Sequence, residues 1–262
     1  MSKLYQLPVG ILSSYILPYL TEIDVRTASQ VNLSEIQEYA YRYAMWNISE
    51  VTDINRRKIH RVKGVTTLLE IQLMTRLSEL RCADMFDQPL HYKGATLLPD
   101  GLQTLHLGRD FNQPLQVNGM KLLPKGLQTL EFGPTFNYPV QKDGVKLLPN
   151  GLKELVFGFS FNQHLQVTVN GTMILPDQLA KLVLKQKFHK NLYSKKRGGT
   201  SLLPQTLKYL ELGDRFNQAL EKNGKKLLPD GLQFLRFGDE FDQPLQENGK
   251  RRCPLKIQLI AL

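Results

Sequence analysis

The sequence has little of what disulfide-bonded or membrane-spanning proteins need. Only two cysteines occur in 262 residues, too few for a disulfide framework. Apolar residues make up 42% of the chain, but no run of them approaches the roughly 18 residues of a membrane span. Residues 1–20 are apolar, yet Pro8 and Pro18 interrupt them and a basic leader is nearly absent, so we expect no signal peptide. These absences favour a reducing, intracellular setting, cytoplasmic or nuclear, and no membrane partner.

Motifs for catalysis and cofactor binding are also lacking. The five histidines occupy unrelated positions and have no cysteine or carboxylate at a convincing ligand spacing. Most glycines stand in Asn-Gly, Asp-Gly or Leu-Gly pairs, which are typical of turns and not of a phosphate-binding loop. No serine or cysteine has a general base implied by its spacing. We therefore predict a protein that is not an enzyme and has no catalytic residues, metal or cofactor.

What the sequence does contain is a repeat. Residues 98–115, LPDGLQTLHLGRDFNQPL, recur with few changes at 123–140, 148–165 and 228–245, and in more diverged form at 203–220 and 175–192. Each copy carries a phenylalanine 25 to 28 residues after the previous one: Phe86, Phe111, Phe136, Phe161, Phe188, Phe216 and Phe241. A period of this length, repeated this often, predicts a solenoid and not a single closed core.

One copy of the repeat is too small to fold alone. Leu102, Leu105 and Leu107 follow the L-x-x-L-x-L spacing of leucine-rich repeats, in which the last two leucines belong to a short strand. About seven large apolar side chains contribute roughly 1.5–3 kcal/mol each when buried. Ordering the copy costs on the order of 1–2 kcal/mol for every backbone residue. Stacking on neighbouring coils is therefore required for folding.

An asparagine follows the phenylalanine in most copies: Asn112, Asn137, Asn162 and Asn217. Stacked in register, its amide can serve backbone groups left open between coils, which predicts an asparagine ladder. The alternative is that asparagine merely suits a turn at this point. Asn118-Gly119 is a turn dipeptide that reverses the chain toward the next copy.

The repeat resembles a known family. F-N-Q-P-L after L-P-x-x-L-x-x-L-x-L-G is similar to the FNIP repeat, a relative of the leucine-rich repeat, over roughly residues 74–262. The last strand is expected within residues 257–262. Cys82 stands where Leu107 stands in the next copy, and Cys253 stands where Leu98 does, so we interpret both cysteines as small core residues.

The first 48 residues lack the period and form a separate module. Apolar residues four apart between Ile11 and Leu20 predict an amphipathic helix, and two further helices are expected near residues 24–31 and 34–45. The segment resembles an F-box, a helical module that docks the Skp-type adaptor of cullin–RING ubiquitin ligases. The alternative is a helical cap over the first coil. The resemblance implies adaptor contacts at Leu7, Pro8, Ile16, Leu17, Leu20, Val25 and Val31.

The predicted architecture is therefore α+β. It comprises an F-box-like helical module (1–48), a linker and N-terminal cap of the solenoid (49–73), and an FNIP-like solenoid of about eight short parallel strands (74–262). The combination resembles proteins of social amoebae and of giant viruses that infect amoebae, and a viral origin would place the protein in the host cell. It implies a substrate adaptor of an SCF-type ubiquitin ligase that binds an unknown target protein. A protein-binding scaffold without a ubiquitin role is the second interpretation.

The outward positions of the strands vary while the leucine frame stays constant. A constant frame with a variable strand face is how solenoids build recognition surfaces. Val156, Val183, Tyr209 and Phe234 are expected to expose apolar side chains there; drifted surface residues are the alternative interpretation. The predicted partner-binding face consists of His106, Glu131, Val156, Val183, Tyr209, Glu211, Phe234 and Arg236.

The chain is basic, with a net charge of +10 and a pI near 9.5. Such a balance permits nucleic acid or another anionic partner, so a basic nucleic-acid-binding solenoid is the third interpretation. The sequence weighs against it, because aromatic residues are not regularly interleaved with the cations. We predict instead that the lysines keep the loops soluble. The basic loop at 193–199 is expected to be solvated, with a nuclear-import or acidic-partner patch as the alternative.

Overall fold

The described chain is a stack of coils joined by one parallel sheet. The structure, a computed structural model, describes residues 42, 44–53, 55–166 and 171–244, together with the backbone of 246–247, 250–251 and 258–260. Within these residues, ten strands, all parallel, follow one another across the sheet in sequence order. They are Trp46–Asn47, Arg61–Val65, Glu79–Cys82, Thr104–His106, Thr129–Glu131, Glu154–Phe157, Lys181–Leu184, Tyr209–Leu212, Phe234–Arg236 and Gln258–Ile260.

The register of this sheet follows the repeat. Leu105 pairs with Leu130, and Leu130 pairs with Leu155, so equivalent residues of successive copies lie side by side. Eight of the strands belong to the repeats, and two more precede them. The last described strand, Gln258–Ile260, lies where the end of the repeat pattern places it. The repeat therefore builds a β-solenoid with one sheet strand per coil.

Short hairpins project from the coils. Six two-stranded antiparallel sheets are present in the described residues. The turn at Asn118 and Gly119 has φ values of 46° and 79°, a pair of positive angles that favours these two residue types and defines a tight hairpin. The turn predicted there is confirmed. The hairpin strands are His91–Tyr92 with Ala95–Thr96, Gln116–Val117 with Met120–Lys121, Gln141–Lys142 with Val145–Lys146, Tyr193–Ser194 with Thr200–Ser201, Glu221–Lys222 with Lys225–Lys226, and Gln246–Glu247 with Lys250–Arg251.

Leucine and phenylalanine side chains fill the interior of the coils. Leu105, Leu130 and Leu155 are fully buried, as the spacing of the strand leucines predicts. The seven repeat phenylalanines stack on one another along the whole array, with ring centroids 5.9–6.2 Å apart. Each coil thus covers the apolar flanks of its neighbours, which a single coil could not do for itself.

Glycine at the end of the strand allows the coils to approach closely. A Cβ atom at Gly133 would lie 2.0 Å from the carbonyl oxygen of Gly108, and one at Gly158 would lie 2.0 Å from that of Gly133. No L side chain fits such a contact without a shift of the backbone. The strand-ending role of Gly108 was predictable from its position, whereas this contact between coils was not.

The α+β prediction is wrong for the part of the chain that is described. From residue 44 onward, the described residues contain no α-helix, and two 3-10 turns, Ile48–Glu50 and Leu68–Ile71, are the helical segments there. The end of the predicted helical module instead belongs to the sheet, where Trp46 pairs with Val62. Burial of Trp46 against the next coil favours a strand at this point. The three predicted helices and all seven predicted adaptor contacts fall on residues 1–45, of which 1–41 and 43 lie outside the described residues.

The segment predicted as a linker and cap is built into the solenoid. Its strand Arg61–Val65 pairs with Glu79–Cys82 of the first repeat, with an irregularity between Lys63 and Val65. Apolar side chains of this segment join the continuous core: Val62, Val65, Leu68 and Ile71. The solenoid therefore begins before the repeat is recognisable in the sequence.

Candidate recognition surface

The sheet has one surface turned away from the core, which we call the sheet face. Two columns of side chains cover it. Along each strand the leucine between the two columns points into the core, so its neighbours on either side point away from it. Strand pairing aligns the columns from coil to coil. The first column is Glu79, Thr104, Thr129, Glu154, Lys181, Tyr209 and Phe234, and the second is Arg81, His106, Glu131, Val156, Val183, Glu211 and Arg236.

The sheet face is the concave side of the stack. Stacked rings at equivalent positions of two successive coils show how far apart the coils lie at that distance from the sheet face. The separation is 4.2 Å between Tyr209 and Phe234 on the sheet face and 5.3 Å between Phe132 and Phe157 just inside the sheet. It reaches 5.9–6.2 Å along the main phenylalanine stack. Because the spacing between coils increases with distance from the sheet face, the stack curves toward that face.

Arginine and histidine side chains hold two carboxylates at the N-terminal half of this face. The Nε of Arg61 donates to Oε2 of Glu79 at 2.7 Å, and the Nε of Arg81 donates to its Oε1 at 2.8 Å. Nδ1 of His106 lies 2.8 Å from Oε2 of Glu131 on the next strand. The contact with His106 holds the pKa of the Glu131 carboxyl below its ordinary value of 4.5, against burial, which raises it. These carboxylates are therefore ionised and already paired within the chain at neutral pH.

The C-terminal half of the face carries an aromatic pair. The rings of Tyr209 and Phe234 stack with an angle of 3° between their planes. Lys181 Nζ lies 5.5 Å from the centre of the Tyr209 ring, and the Tyr209 hydroxyl donates to Glu211 at 3.1 Å. Glu211 also faces Arg236 on the next strand, 3.7 Å away. We call this half-exposed pair of rings, with a cation and a carboxylate beside it, the aromatic step.

The structure brings the predicted face residues together in the two columns, but one of them is buried. Val183 was expected to be exposed but is 5% exposed, so the prediction for this residue is wrong. It stands on the strand Lys181–Leu184, where three successive residues are buried, in the coil that has diverged most from the repeat. Val156 is half-buried and does lie in the second column.

Sequence reasoning missed several members of the face. Glu79 and Arg81 occupy the two columns one coil before His106, and extending the repeat frame back by one copy would have found them. Lys181 was visible in the first column, but its contact with the Tyr209 ring was not. Arg61 lies on a strand outside the repeat, and no sequence signal indicated it.

Within the described residues, no group of three or more histidine, cysteine or acidic side chains is arranged to hold a metal ion. No helix among these residues has the length and apolar character needed to cross a membrane. Burial raises the pKa of the Cys82 thiol to about 12, consistent with a residue that packs against the core.

The stacked strands, the leucine frame and the concave sheet define a leucine-rich-repeat-like solenoid. The chain is similar to CroV588, a circular leucine-rich-repeat protein of known crystal structure, with 27% sequence identity and a TM-score of 0.51. The match covers 71% of this chain and 30% of that chain, so it spans about a third of that protein's length. No family model matches the sequence. No curated protein matches it either.

Proposed function

We propose that this protein is a non-catalytic scaffold that binds another protein on its concave sheet face. The observation that carries the proposal is the aromatic step of Tyr209 and Phe234, with Arg236 beside it, on a frame fixed by strand pairing. Tyrosine and arginine are enriched among the residues that dominate protein–protein affinity. Rings held in place by neighbouring coils lose little conformational freedom on binding, which favours affinity.

The charged part of the face supports a role in specificity. Glu79 and Glu131 are paired within the chain, so a partner must either match these pairs or avoid them. Charge arrangements of this kind select partners and reject others more than they add affinity. The aromatic step and these paired carboxylates lie along the same two columns, which suits a partner that extends over several coils.

A pair of double variants tests the proposal. Tyr209→Ala with Phe234→Ala removes the aromatic step, and Tyr138→Ala with Phe159→Ala removes one tyrosine and one phenylalanine that are exposed elsewhere. Proteins that co-purify with the parent chain and with the control, but not with the first variant, are the expected partners. For one such partner, the dissociation constant should rise by about 30-fold or more when the step is removed.

Thermal unfolding must be measured on both variants, because a folding defect would also abolish binding. Equal recovery of every partner by the parent and by the Tyr209 and Phe234 variant, with both folded, would overturn the assignment of the sheet face. A reaction catalysed by the purified chain on a captured partner would overturn the non-catalytic part of the proposal.

A role as a substrate adaptor of a ubiquitin ligase is a narrower form of this proposal. It has its support in the sequence resemblance to F-box and FNIP proteins alone, and the residues that would contact a Skp-type adaptor lie outside the described part of the chain. Binding of such an adaptor to the parent chain, abolished in Leu7→Asp and in Leu20→Asp, would support it. Absence of binding would leave the scaffold without a ubiquitin role.

A further inference from the structure

The hairpins carry most of the net charge of the protein. Five hairpins have described side chains, at 91–96, 116–121, 141–146, 193–201 and 221–226. They hold two carboxylates, Asp143 and Glu221, against ten cations. This difference accounts for eight of the ten net positive charges of the whole chain. The cations are Lys93, Lys121, Lys142, Lys146, Lys195, Lys196, Arg197, Lys222, Lys225 and Lys226.

These hairpins project from the same edge of the stack, which we call the hairpin edge. The first three come from successive coils and so do the last two, while the coil between the two groups has no described hairpin. Lys142, Lys195 and Lys196 line one depression across this interval. Thr96 of the first hairpin donates from its hydroxyl to the backbone oxygen of Leu122, which follows the second hairpin, at 3.1 Å. Ser201 makes the equivalent contact with Leu227 at 2.5 Å. Lys222 Nζ of one hairpin lies 5.2 Å from the Tyr193 ring centre of the previous one. The repeat therefore concentrates charges that are dispersed in the sequence into one row.

Nine of the ten cations of the row form no ion pair within the described residues. All ten except Lys146 are exposed. Among these ten, Lys226 is the residue that forms an ion pair in the described structure, with Asp230 at 2.6 Å. The pKa of the neighbouring His164 is lowered, first by burial and then by the positive charges of Lys190 and Lys195. Because cations outnumber carboxylates ten to two in these hairpins, they repel one another, and an anionic ligand relieves that repulsion.

Aromatic rings accompany the cations at two points. Tyr92 is 56% exposed and has Lys93 Nζ 5.3 Å from its ring centre. Tyr193 has Lys222 in the same relation. A ring with a cation beside it offers a stacking platform for a base and a charge for its phosphate, which is how proteins hold single strands without sequence preference.

We propose that the hairpin edge binds the phosphate backbone of single-stranded nucleic acid. A linear polyanion fits a linear row of cations, and it needs no match of sequence or register. Insertion into a lipid bilayer is a poorer match, because an inserting edge would present apolar side chains at its tips. The central turn residues of the tight hairpins are instead polar or glycine: Lys93-Gly94, Asn118-Gly119, Asp143-Gly144 and Asn223-Gly224. This surface is separate from the sheet face.

Fluorescence anisotropy of the full chain with a labelled, mixed-sequence single-stranded DNA tests the proposal across a salt series. The edge variant carries Lys195→Gln, Lys196→Gln, Lys222→Gln and Lys225→Gln. The control variant carries Lys125→Gln, Lys153→Gln, Lys187→Gln and Lys208→Gln, four exposed lysines outside the hairpins, and has the same net charge. The edge variant should bind roughly tenfold or more weakly. The slope of its log affinity against log salt should become shallower by about 0.7 for each phosphate that the variant no longer neutralises.

Other outcomes decide against the proposal. Absence of DNA binding by the folded parent at low salt overturns it, as does an equal decrease in the edge and control variants. Binding of phosphatidylserine vesicles without DNA binding would assign the edge to a membrane instead. Tyr92→Ala should weaken DNA binding while Tyr138→Ala should not, and the Tyr209 and Phe234 double variant should bind DNA like the parent, which keeps this test independent of the sheet face.

Discussion

The backbone N–H of Asn137 donates to the side-chain oxygen of Asn112, one coil earlier, at 3.0 Å. The same bond joins Asn162 to Asn137 at 2.9 Å and Asp242 to Asn217 at 3.0 Å. The asparagine ladder expected from the sequence is therefore confirmed. Asp87 accepts the equivalent bond from Asn112, so the contact requires an oxygen at this position and not an amide.

Replacing Asn137 by alanine should destabilise the stack. The change removes the acceptor for the Asn162 N–H and for the Gln163 side chain, which also donates to Asn137 Oδ1 at 3.1 Å. The free energy of unfolding should fall by about 1 kcal/mol, the usual net contribution of such bonds. Asn137→Asp keeps the oxygen and should cost clearly less. Urea denaturation of the two variants measures this, and equal decreases would contradict the ladder.

Replacing Gly133 by alanine should cost more. Its Cβ would lie 2.0 Å from the Gly108 carbonyl oxygen, so two coils must move apart, at a cost of about 1–3 kcal/mol. Gly126→Ala is the matched control, because its Cβ would meet nothing closer than the Asp100 oxygen at 3.6 Å. That change should stay within about 1 kcal/mol of the parent. Similar melting temperatures for both variants would show that the close contact between coils is unimportant.

Stability should fall in acid through the Glu79 carboxyl. Burial alone would raise its pKa, but hydrogen bonds from Arg61 and Arg81 outweigh burial and place the pKa below the ordinary 4.5. A carboxyl whose pKa is lower in the folded state contributes stability above the unfolded pKa and loses it as the pH falls through the folded value. Between neutral pH and about pH 3, Glu79→Gln should lose less stability than the parent. An identical pH profile for both would contradict this pairing.

The periodic part of the fold was predictable because stacking repeats the same contact many times. Phe111 and Asn112 recur at a nearly constant spacing, and in a stack such residues meet their own equivalents. The pairing of His106 with Glu131 in one column follows from the same frame. Single-copy features carried no such signal, and Arg61 on the strand before the repeats is one of them.

The remaining differences have local physical causes. Trp46 joins the sheet because the next strand offers it both pairing and burial, which a pattern of helical spacing does not reveal. Val183 is buried within the diverged coil, where Lys185 replaces the glycine that ends the strand in most other coils. The curvature toward the sheet face depends on how the spacing between coils changes with distance from that face. The sequence pattern carries no information about this spacing.

The sheet face exists only if equivalent residues of successive coils lie side by side, and a cysteine pair tests this most directly. Thr104 pairs with Thr129 on neighbouring parallel strands, at a Cα separation of about 4.8 Å that a disulfide can span. With Cys82 and Cys253 replaced by alanine, Thr104→Cys with Thr129→Cys should oxidise to an intramolecular disulfide under mild conditions. Thr104→Cys with Glu131→Cys, two residues out of register, should remain reduced. A disulfide in the second pair, or in neither, as read by mass spectrometry of the folded protein, would contradict the stack.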